Sequence, residues 1–318
     1  MNVHELPMII FTIFAQMSVG AFVVLGIIQV VARFKGGTSA VDKITDPLLY
    51  AIGPAMVFGL IASMFHMNDI TNTLNVLRHW DSSWLSREII LGASFAGLGF
   101  LFALAQWFKW GSTLLRQILA GVTAVVGLAL VYAMSMIYYT LVTVPAWNTF
   151  ATPAQFFTTT FLLGCLAVGA ALMSTIMWRI RKTTSTKSQV SEADAESQVV
   201  DASTRVLMTT VLKGVGIASV VLLSAQFIII ALHLSNLAGG GAIEAQSAVV
   251  FSGGWFIARL LLVFLGAGLL ALFVYRYAAS GAPARHLAIF ATSAFVLVLA
   301  GEIIGRSQFY DSMFRIGM

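Results

Sequence analysis

Long apolar runs alternate with short polar segments along the whole chain, and this pattern predicts a bundle of transmembrane helices. A helix needs roughly 20 apolar residues to cross the hydrocarbon core of a bilayer, and open strands cannot satisfy their backbone groups there. The predicted fold class is therefore all-α, a single polytopic membrane domain comprising residues 1–318 with eight transmembrane helices. The predicted spans are 8–31, 48–67, 87–108, 115–138, 153–178, 211–233, 254–275 and 285–304.

One polar stretch, residues 181–204, differs from the rest of the protein. Basic and hydroxyl residues begin it, and four acidic residues follow them. Small, polar and charged residues of this kind bury too little apolar surface to fold alone. The stretch is predicted to be a flexible cytoplasmic connector between five spans and three, with a surface helix starting near residue 196 as a further possibility.

Composition supports a membrane protein and indicates its orientation. Hydrophobic residues make up 59% of the chain and charged residues 10%, against about 25% charged in ordinary globular proteins. Thirteen of the 18 Lys and Arg residues lie in or beside the loops on one side of the spans. The positive-inside rule makes that side cytoplasmic. Both termini are then predicted to lie on the outer, periplasmic side of a bacterial inner membrane.

The few ionisable residues near the outer ends of the spans are the candidates for function, because such residues are costly in a membrane. His66 follows the apolar run of span two, where an imidazole can accept a proton at physiological pH. Its alternative role is to hydrogen-bond a loop. Glu88 begins span three, where a carboxylate also compensates the helix dipole. The connection between these spans is short enough for His66 and Glu88 to meet as a proton relay.

Other polar residues at this end have different predicted roles. Glu302 and Arg306 are four residues apart, so they share a helix face and are predicted to form a structural pair that braces span eight. Arg259, one turn into span seven, is a candidate partner of a carboxylate or of a quinone oxygen. Gln16 in span one adds a neutral hydrogen-bonding group. Because quinol oxidation needs a proton acceptor such as His66, Gln16, His66, Glu88 and Arg259 form a candidate quinol-binding set.

Cysteine and histidine usage limits the cofactors that this protein could hold. Cys165 is the only cysteine and lies within a span, so any iron–sulfur cluster must belong to a partner. A transmembrane haem needs two His residues on facing spans at matching depth, and only His66 and His233 approach that arrangement. The sequence predicts no haem and no metal in this chain.

Five separated motifs resemble the membrane-anchor subunit of the respiratory dimethyl-sulfoxide reductase family, and the resemblance covers nearly the whole chain. They are Glu-Leu-Pro-Met-Ile-Ile-Phe-Thr-Ile-Phe-Ala-Gln at 5–16, Ile-Ala-Ser-Met-Phe-His at 61–66, Leu-Ser-Arg-Glu-Ile at 85–89, Val-Pro-Ala-Trp at 144–147, and Leu-Ala-Gly-Glu-Ile-Ile-Gly-Arg-Ser-Gln-Phe-Tyr at 299–310. The connector at 181–204 is the main departure.

The resemblance implies eight helices, both termini outside and oxidation of menaquinol near the outer face. It implies that His66 is the quinol-site histidine and that Glu88 is its acidic companion. It also implies an iron–sulfur subunit and a molybdopterin catalytic subunit docked on outer loops 68–86, 139–152 and 234–252. The protein would then oxidise quinol without itself reducing the terminal acceptor, an S-oxide or N-oxide such as dimethyl sulfoxide.

Three alternatives remain open at this stage. A polysulfide-reductase-type anchor has the same general architecture and a different partner. A purely structural anchor would carry out no quinol chemistry. A secondary transporter belongs to another class, and it would favour broken helices and charges near the middle of the membrane.

Overall fold

The computed structural model describes residues 5–34, 38–64, 78–186, 191–280 and 283–316, and nearly all of them are helical. A 3₁₀ turn, Val250–Ser252, follows α8, and a π-helical segment, Phe264–Leu270, joins α9 to α10. In chain order the helices are α1 Leu6–Phe34, α2 Thr38–Met64, α3 Trp84–Trp107, α4 Thr113–Tyr139, α5 Ala151–Thr186, α6 Glu192–Val199, α7 Ala202–Ala238, α8 Ala242–Val249, α9 Gly254–Val263, α10 Ala271–Ser280 and α11 Ala284–Asp311.

Eight of these helical stretches are long and apolar enough to cross a membrane, which confirms the predicted spans. They are α1 to α5, α7, α9 with α10, and α11. Several helices extend beyond their predicted ends; α11, for example, ends at Asp311 instead of residue 304. The reason is that neighbouring helices bury the polar residues of its last two turns, so the helix continues after the apolar run has ended.

Helices α1 and α5 form the centre of the bundle. In their most apolar stretches 72% and 67% of the residues are buried, against 22% to 39% in the other spans. They cross where Gly20 meets Gly164, with backbone against backbone. A Cβ atom on Gly20 would lie 1.9 Å from the carbonyl oxygen of Thr160, and one on Gly164 would lie 2.3 Å from the carbonyl carbon of Gly20. Only glycine permits this crossing.

The later helices attach to this centre through α5. Helix α5 packs against both α7 and α11, α10 packs against α7, and α9 packs against α11. Successive spans run in opposite directions. One end of the bundle therefore gathers the starts of α1, α3, α5 and α9 with the ends of α4, α7 and α11, and we call it the site end.

The predicted flexible connector, residues 181–204, is largely helical in the structure. Helix α5 continues to Thr186, and α6 and the start of α7 account for most of the remainder. Helix α6 packs against α5 and buries Ala195 completely. Glu196 accepts a hydrogen bond from the backbone of Ala284, 3.2 Å, and lies 3.9 Å from Arg205. These tertiary contacts stabilise the segment, and its polar composition gave no indication of them.

Candidate functional site

Glu88 places a buried carboxyl group at the site end, in the second turn of α3. The helix begins at Trp84 with Ser83 as its N-cap, whose side chain accepts a hydrogen bond from the Ser86 amide. Only 3% of Glu88 is exposed. The described residues supply no hydrogen bond to its carboxyl group, although buried polar groups nearly always have one. The side chain is therefore free to interact with a group that the described residues do not provide.

Two tyrosines lie within electrostatic range of Glu88, one at the end of α4 and one at the end of α11. The hydroxyl groups of Tyr138 and Tyr310 are 2.9 Å apart and buried. The indole nitrogen of Trp147 donates to the carbonyl oxygen of Phe309 at 2.8 Å, and the two rings stack with centroids 5.2 Å apart. These contacts hold the pair of hydroxyl groups in place within electrostatic range of the carboxyl group of Glu88.

Arg306 joins α11 to the two central helices. Its Nη2 donates to Oε1 of Gln16 at 2.8 Å, and its guanidinium lies 3.9 Å from the ring centroid of Phe156. Gln16 in turn donates from Nε2 to the carbonyl oxygen of Phe156, 3.3 Å. Gln16 is fully buried. Its amide is thus engaged on both sides by protein groups, an arrangement that stabilises the crossing of α1, α5 and α11.

Glu302 is bound by two other helices. Its carboxylate accepts hydrogen bonds from the hydroxyl of Thr159 on α5, 2.7 Å, and from the amide of Gln226 on α7, 2.5 Å. A direct ion pair between Glu302 and Arg306, as the i,i+4 spacing suggested, is not found among the described residues. Each side chain points to different helices instead. Their predicted bracing role remains a prediction, and the contacts through which they would perform it are interhelical.

Arg259 belongs to α9 and packs against α11. Its guanidinium rests against Gly305, where a Cβ atom would lie 2.4 Å from Nε and 2.6 Å from Cζ. Five residues separate Gly305 from Tyr310, which is about 140° around a helix with 3.6 residues per turn. Arg259 and Glu88 are therefore on different sides of α11.

The predicted residues thus divide into three groups. Glu88 lies within electrostatic range of the tyrosine pair. Gln16, Glu302 and Arg306 form hydrogen-bonded interhelical contacts, and Arg259 packs on Gly305 within electrostatic range of Glu302 and Arg306. His66 lies outside the described residues, so its role stays a prediction. Sequence reasoning missed Tyr138, Tyr310, Thr159 and Gln226. Of these, Gln226 carried a visible signal, because an amide inside an apolar span needs a partner.

Several known proteins are similar to this one. A component of the anaerobic dimethyl sulfoxide reductase of E. coli (strain K12) is 28% identical over 99% of this chain and 97% of its own length. The component of the same name from Haemophilus influenzae is 31% identical over 54% of this chain and 60% of its own length. A sulfite dehydrogenase component from Allochromatium vinosum is 30% identical over 34% of this chain and 38% of its own length.

A family model also matches nearly the whole protein. It is described as DMSO reductase anchor subunit (DmsC), and it matches residues 1–311. The match includes all eight membrane spans and every residue of the site end discussed above. The chain therefore belongs to the DMSO reductase anchor subunit family.

Proposed function

We propose that this protein oxidises menaquinol at the site end and passes the electrons to an iron–sulfur partner subunit. A molybdopterin partner then reduces an S-oxide or N-oxide such as dimethyl sulfoxide. The observation that carries the proposal is the buried carboxyl group of Glu88, which lies within electrostatic range of the Tyr138–Tyr310 hydroxyl pair. A group of this kind at the edge of a membrane span is costly and is typical of proton handling.

The chemistry explains why such a group is needed. Oxidation of one quinol releases two electrons and two protons. An imidazole can accept a proton at physiological pH, so His66 takes the first proton from one quinol hydroxyl, passes it to Glu88 and then takes the second proton from the other hydroxyl. Glu88 orients the imidazole and relays the proton towards the outer side. The Tyr138–Tyr310 pair, which comes from α4 and α11, interacts electrostatically with this carboxyl group.

The electron path follows from the cysteine content of the protein. Iron–sulfur clusters are held mainly by Cys thiolates, and the sequence has one Cys. The clusters and the molybdopterin therefore belong to partner subunits, which dock on the outer loops at the site end. The excess of Lys and Arg on the opposite side supports an outer location for this end and for both termini.

Substitution of Glu88 by Gln tests the proposal. We expect quinol-dependent reduction of dimethyl sulfoxide by membranes to fall roughly 100-fold or more, the scale of a lost acid–base group. Reduction with a soluble dye that feeds the iron–sulfur partner directly should not change, which shows that the complex is assembled. Glu244→Gln, on α8 at the same end, is the matched control.

His66→Ala should reproduce the effect of Glu88→Gln. Full quinol-dependent turnover in both variants, with normal assembly, would overturn the proposal and leave a purely structural anchor. Loss of both the quinol-dependent and the dye-dependent activity would show that the complex has failed to assemble. Glu88→Asp is then the informative variant, because it keeps the carboxylic acid and only shortens the side chain. Activity retained by Glu88→Asp but not by Glu88→Gln would support the acid–base role.

A second candidate is the reverse reaction, in which a partner delivers electrons and the same site reduces quinone. The similarity to a sulfite dehydrogenase component favours it. The two directions are separated by adding each substrate to the purified complex. Dimethyl sulfoxide should oxidise added menaquinol under the first proposal, whereas sulfite should reduce added quinone under the second.

A further inference from the structure

Five buried polar side chains at the site end have hydrogen-bonding atoms without partners. Gln226 and Arg306 each make another side-chain hydrogen bond, whereas the other three make none with the described residues, and each of these belongs to a different helix. Arg259 on α9 is 4% exposed, His233 on α7 is 6% exposed and Gln308 on α11 is 4% exposed. Their unpartnered atoms are Nε of Arg259, Nδ1 of His233 and both polar atoms of the Gln308 amide. We call these three residues the α7–α9–α11 cluster. Orphaned buried groups of this number are unusual and require an explanation.

The helix geometry brings the three residues close together. Gly301, Gly305 and Gln308 lie on one face of α11, because steps of four and three residues return close to the same side of a helix. Gly301 faces α9 at Val263, and Gly305 faces the guanidinium of Arg259. His233 lies within electrostatic range of Arg259. The three polar groups therefore converge between α7, α9 and α11.

The charges in this region are unbalanced. Arg259 and Arg306 are both buried, and Glu302 is the carboxylate within electrostatic range of both of them. Glu302 already accepts hydrogen bonds from Thr159 and Gln226. Among the described residues no hydrogen-bond acceptor binds the guanidinium of Arg259. A buried guanidinium normally pairs with a carboxylate or a phosphate, so the missing partner is an anion.

The packing shows from where such an anion would arrive. Helix α7 packs against α10 and the π-helical segment, whereas α9 packs against α11. Helix α8 and the turn after it cover this end from the water side, since Ser247 donates to the carbonyl oxygen of Ser312 and Phe251 contacts the ring of His233. Phe251 also packs against Phe256 at the start of α9, so the turn lies across the ends of α7 and α9. With the water side covered, the remaining approach is from the bilayer.

The depth of the cluster suits a lipid phosphate. The span made of α9 and α10 has 25 residues, or about 37 Å at 1.5 Å per residue. It therefore extends a few ångströms beyond each side of a hydrocarbon core about 30 Å thick. Arg259 lies five residues after the start of α9, just inside the boundary of the core. A long arginine side chain can reach a phosphate at that boundary.

We propose that the α7–α9–α11 cluster binds the phosphate of an anionic phospholipid that approaches from the bilayer. Arg259 supplies the charge and the unpartnered Nε–H donor, and the Gln308 amide and the His233 ring complete the shell. Gly305 provides the space in which the guanidinium lies. The site is on a different face of α11 from Glu88 and does not depend on the proposed quinol chemistry.

The test measures lipid binding by the complete purified complex. Phosphatidylglycerol is titrated into the complex in neutral detergent, and retained lipid and thermal stability are recorded. Phosphatidylcholine is the neutral lipid, and inorganic phosphate is the free anion. We expect tight binding of phosphatidylglycerol and at least tenfold weaker binding after Arg259→Gln. Arg315→Gln, an exposed arginine at the same end, should bind as the unmodified complex does.

Gln308→Leu is a second test in case Arg259→Gln does not fold, because it removes the amide of the cluster and keeps the arginine charge. It should weaken phosphatidylglycerol binding severalfold. Equal binding by the unmodified and Arg259→Gln complexes, or no preference for phosphatidylglycerol over phosphatidylcholine, would overturn the proposal. If inorganic phosphate raised the thermal stability of the complex as much as phosphatidylglycerol does, the ligand would be a free anion and the lipid proposal would be overturned. Loss of quinol turnover in Glu88→Gln with lipid binding unchanged would separate this site from the proposed catalytic site.

Discussion

Glu302 and Glu88 are two buried carboxyl groups at the same end of one bundle, and their surroundings differ. Glu302 accepts hydrogen bonds from Thr159 and Gln226, so three helices are joined at its two oxygens. Glu88 is equally buried and receives no hydrogen bond from the described residues. A satisfied buried carboxylate belongs to the architecture. An unsatisfied one indicates a group kept available for a substrate or a proton.

The largest effect on stability is expected when Glu302 is removed. Glu302→Ala leaves Gln226 and Thr159 unpaired and leaves Arg259 and Arg306 without their shared counter-charge. Removing one partner of a buried charged network costs about 3–5 kcal/mol. Unfolding of the purified anchor in mixed micelles should show this loss. A change below about 1 kcal/mol would mean that the contacts of Glu302 contribute little to the fold.

A smaller effect is expected from Gln226→Leu, which removes one of the two donors to Glu302. Interhelical hydrogen bonds in membranes contribute about 0.6 kcal/mol on average and up to about 1.7 kcal/mol. The acceptor here is a carboxylate, so we expect a loss of stability of about 1.5 kcal/mol in the same unfolding assay. Gln246→Leu, at an exposed amide on α8, is the control for the substitution itself. Equal losses in the two variants would contradict a special role for Gln226.

Tyr310→Phe should cost about 1 kcal/mol, the usual net value of one hydrogen bond. The substitution removes the 2.9 Å contact with Tyr138 and keeps the aromatic packing on Trp147 and Phe309. If the hydroxyl pair supports Glu88, quinol-dependent turnover should fall more than the small loss of stability explains. Unchanged turnover would confine the pair to a structural role.

The smallest effect on stability is expected at Glu88 itself. Glu88→Gln keeps the size of the side chain and breaks no hydrogen bond from the described residues, so its effect should stay within about 0.5 kcal/mol. Turnover with quinol should nevertheless fall strongly. A stability loss as large as that of Glu302→Ala would show that the two carboxyl groups have the same structural role, and the comparison would fail.

Sequence reasoning reached the spans and several site residues but not their partners. The apolar runs identified eight helices because length and hydropathy decide whether a helix can cross a membrane. Spacing along one helix suggested that Glu302 and Arg306 would pair, yet each binds other helices. The polar stretch 181–204 suggested flexibility, yet Ala195 and Glu196 pack against α5 and α11 respectively. Neither outcome can be inferred from local sequence.

The sequence by itself determined the membrane character of the protein, the number of spans and the presence of ionisable residues near one set of span ends. These properties depend on composition and on distances along the sequence. Only the tertiary structure decided that Glu302 is satisfied, that Glu88 is buried within electrostatic range of a tyrosine pair and that Arg259 packs against Gly305 of α11. The crossing at Gly20 and Gly164 and the rotation of each helix set these contacts, because hydrogen bonds between helices depend on which faces meet.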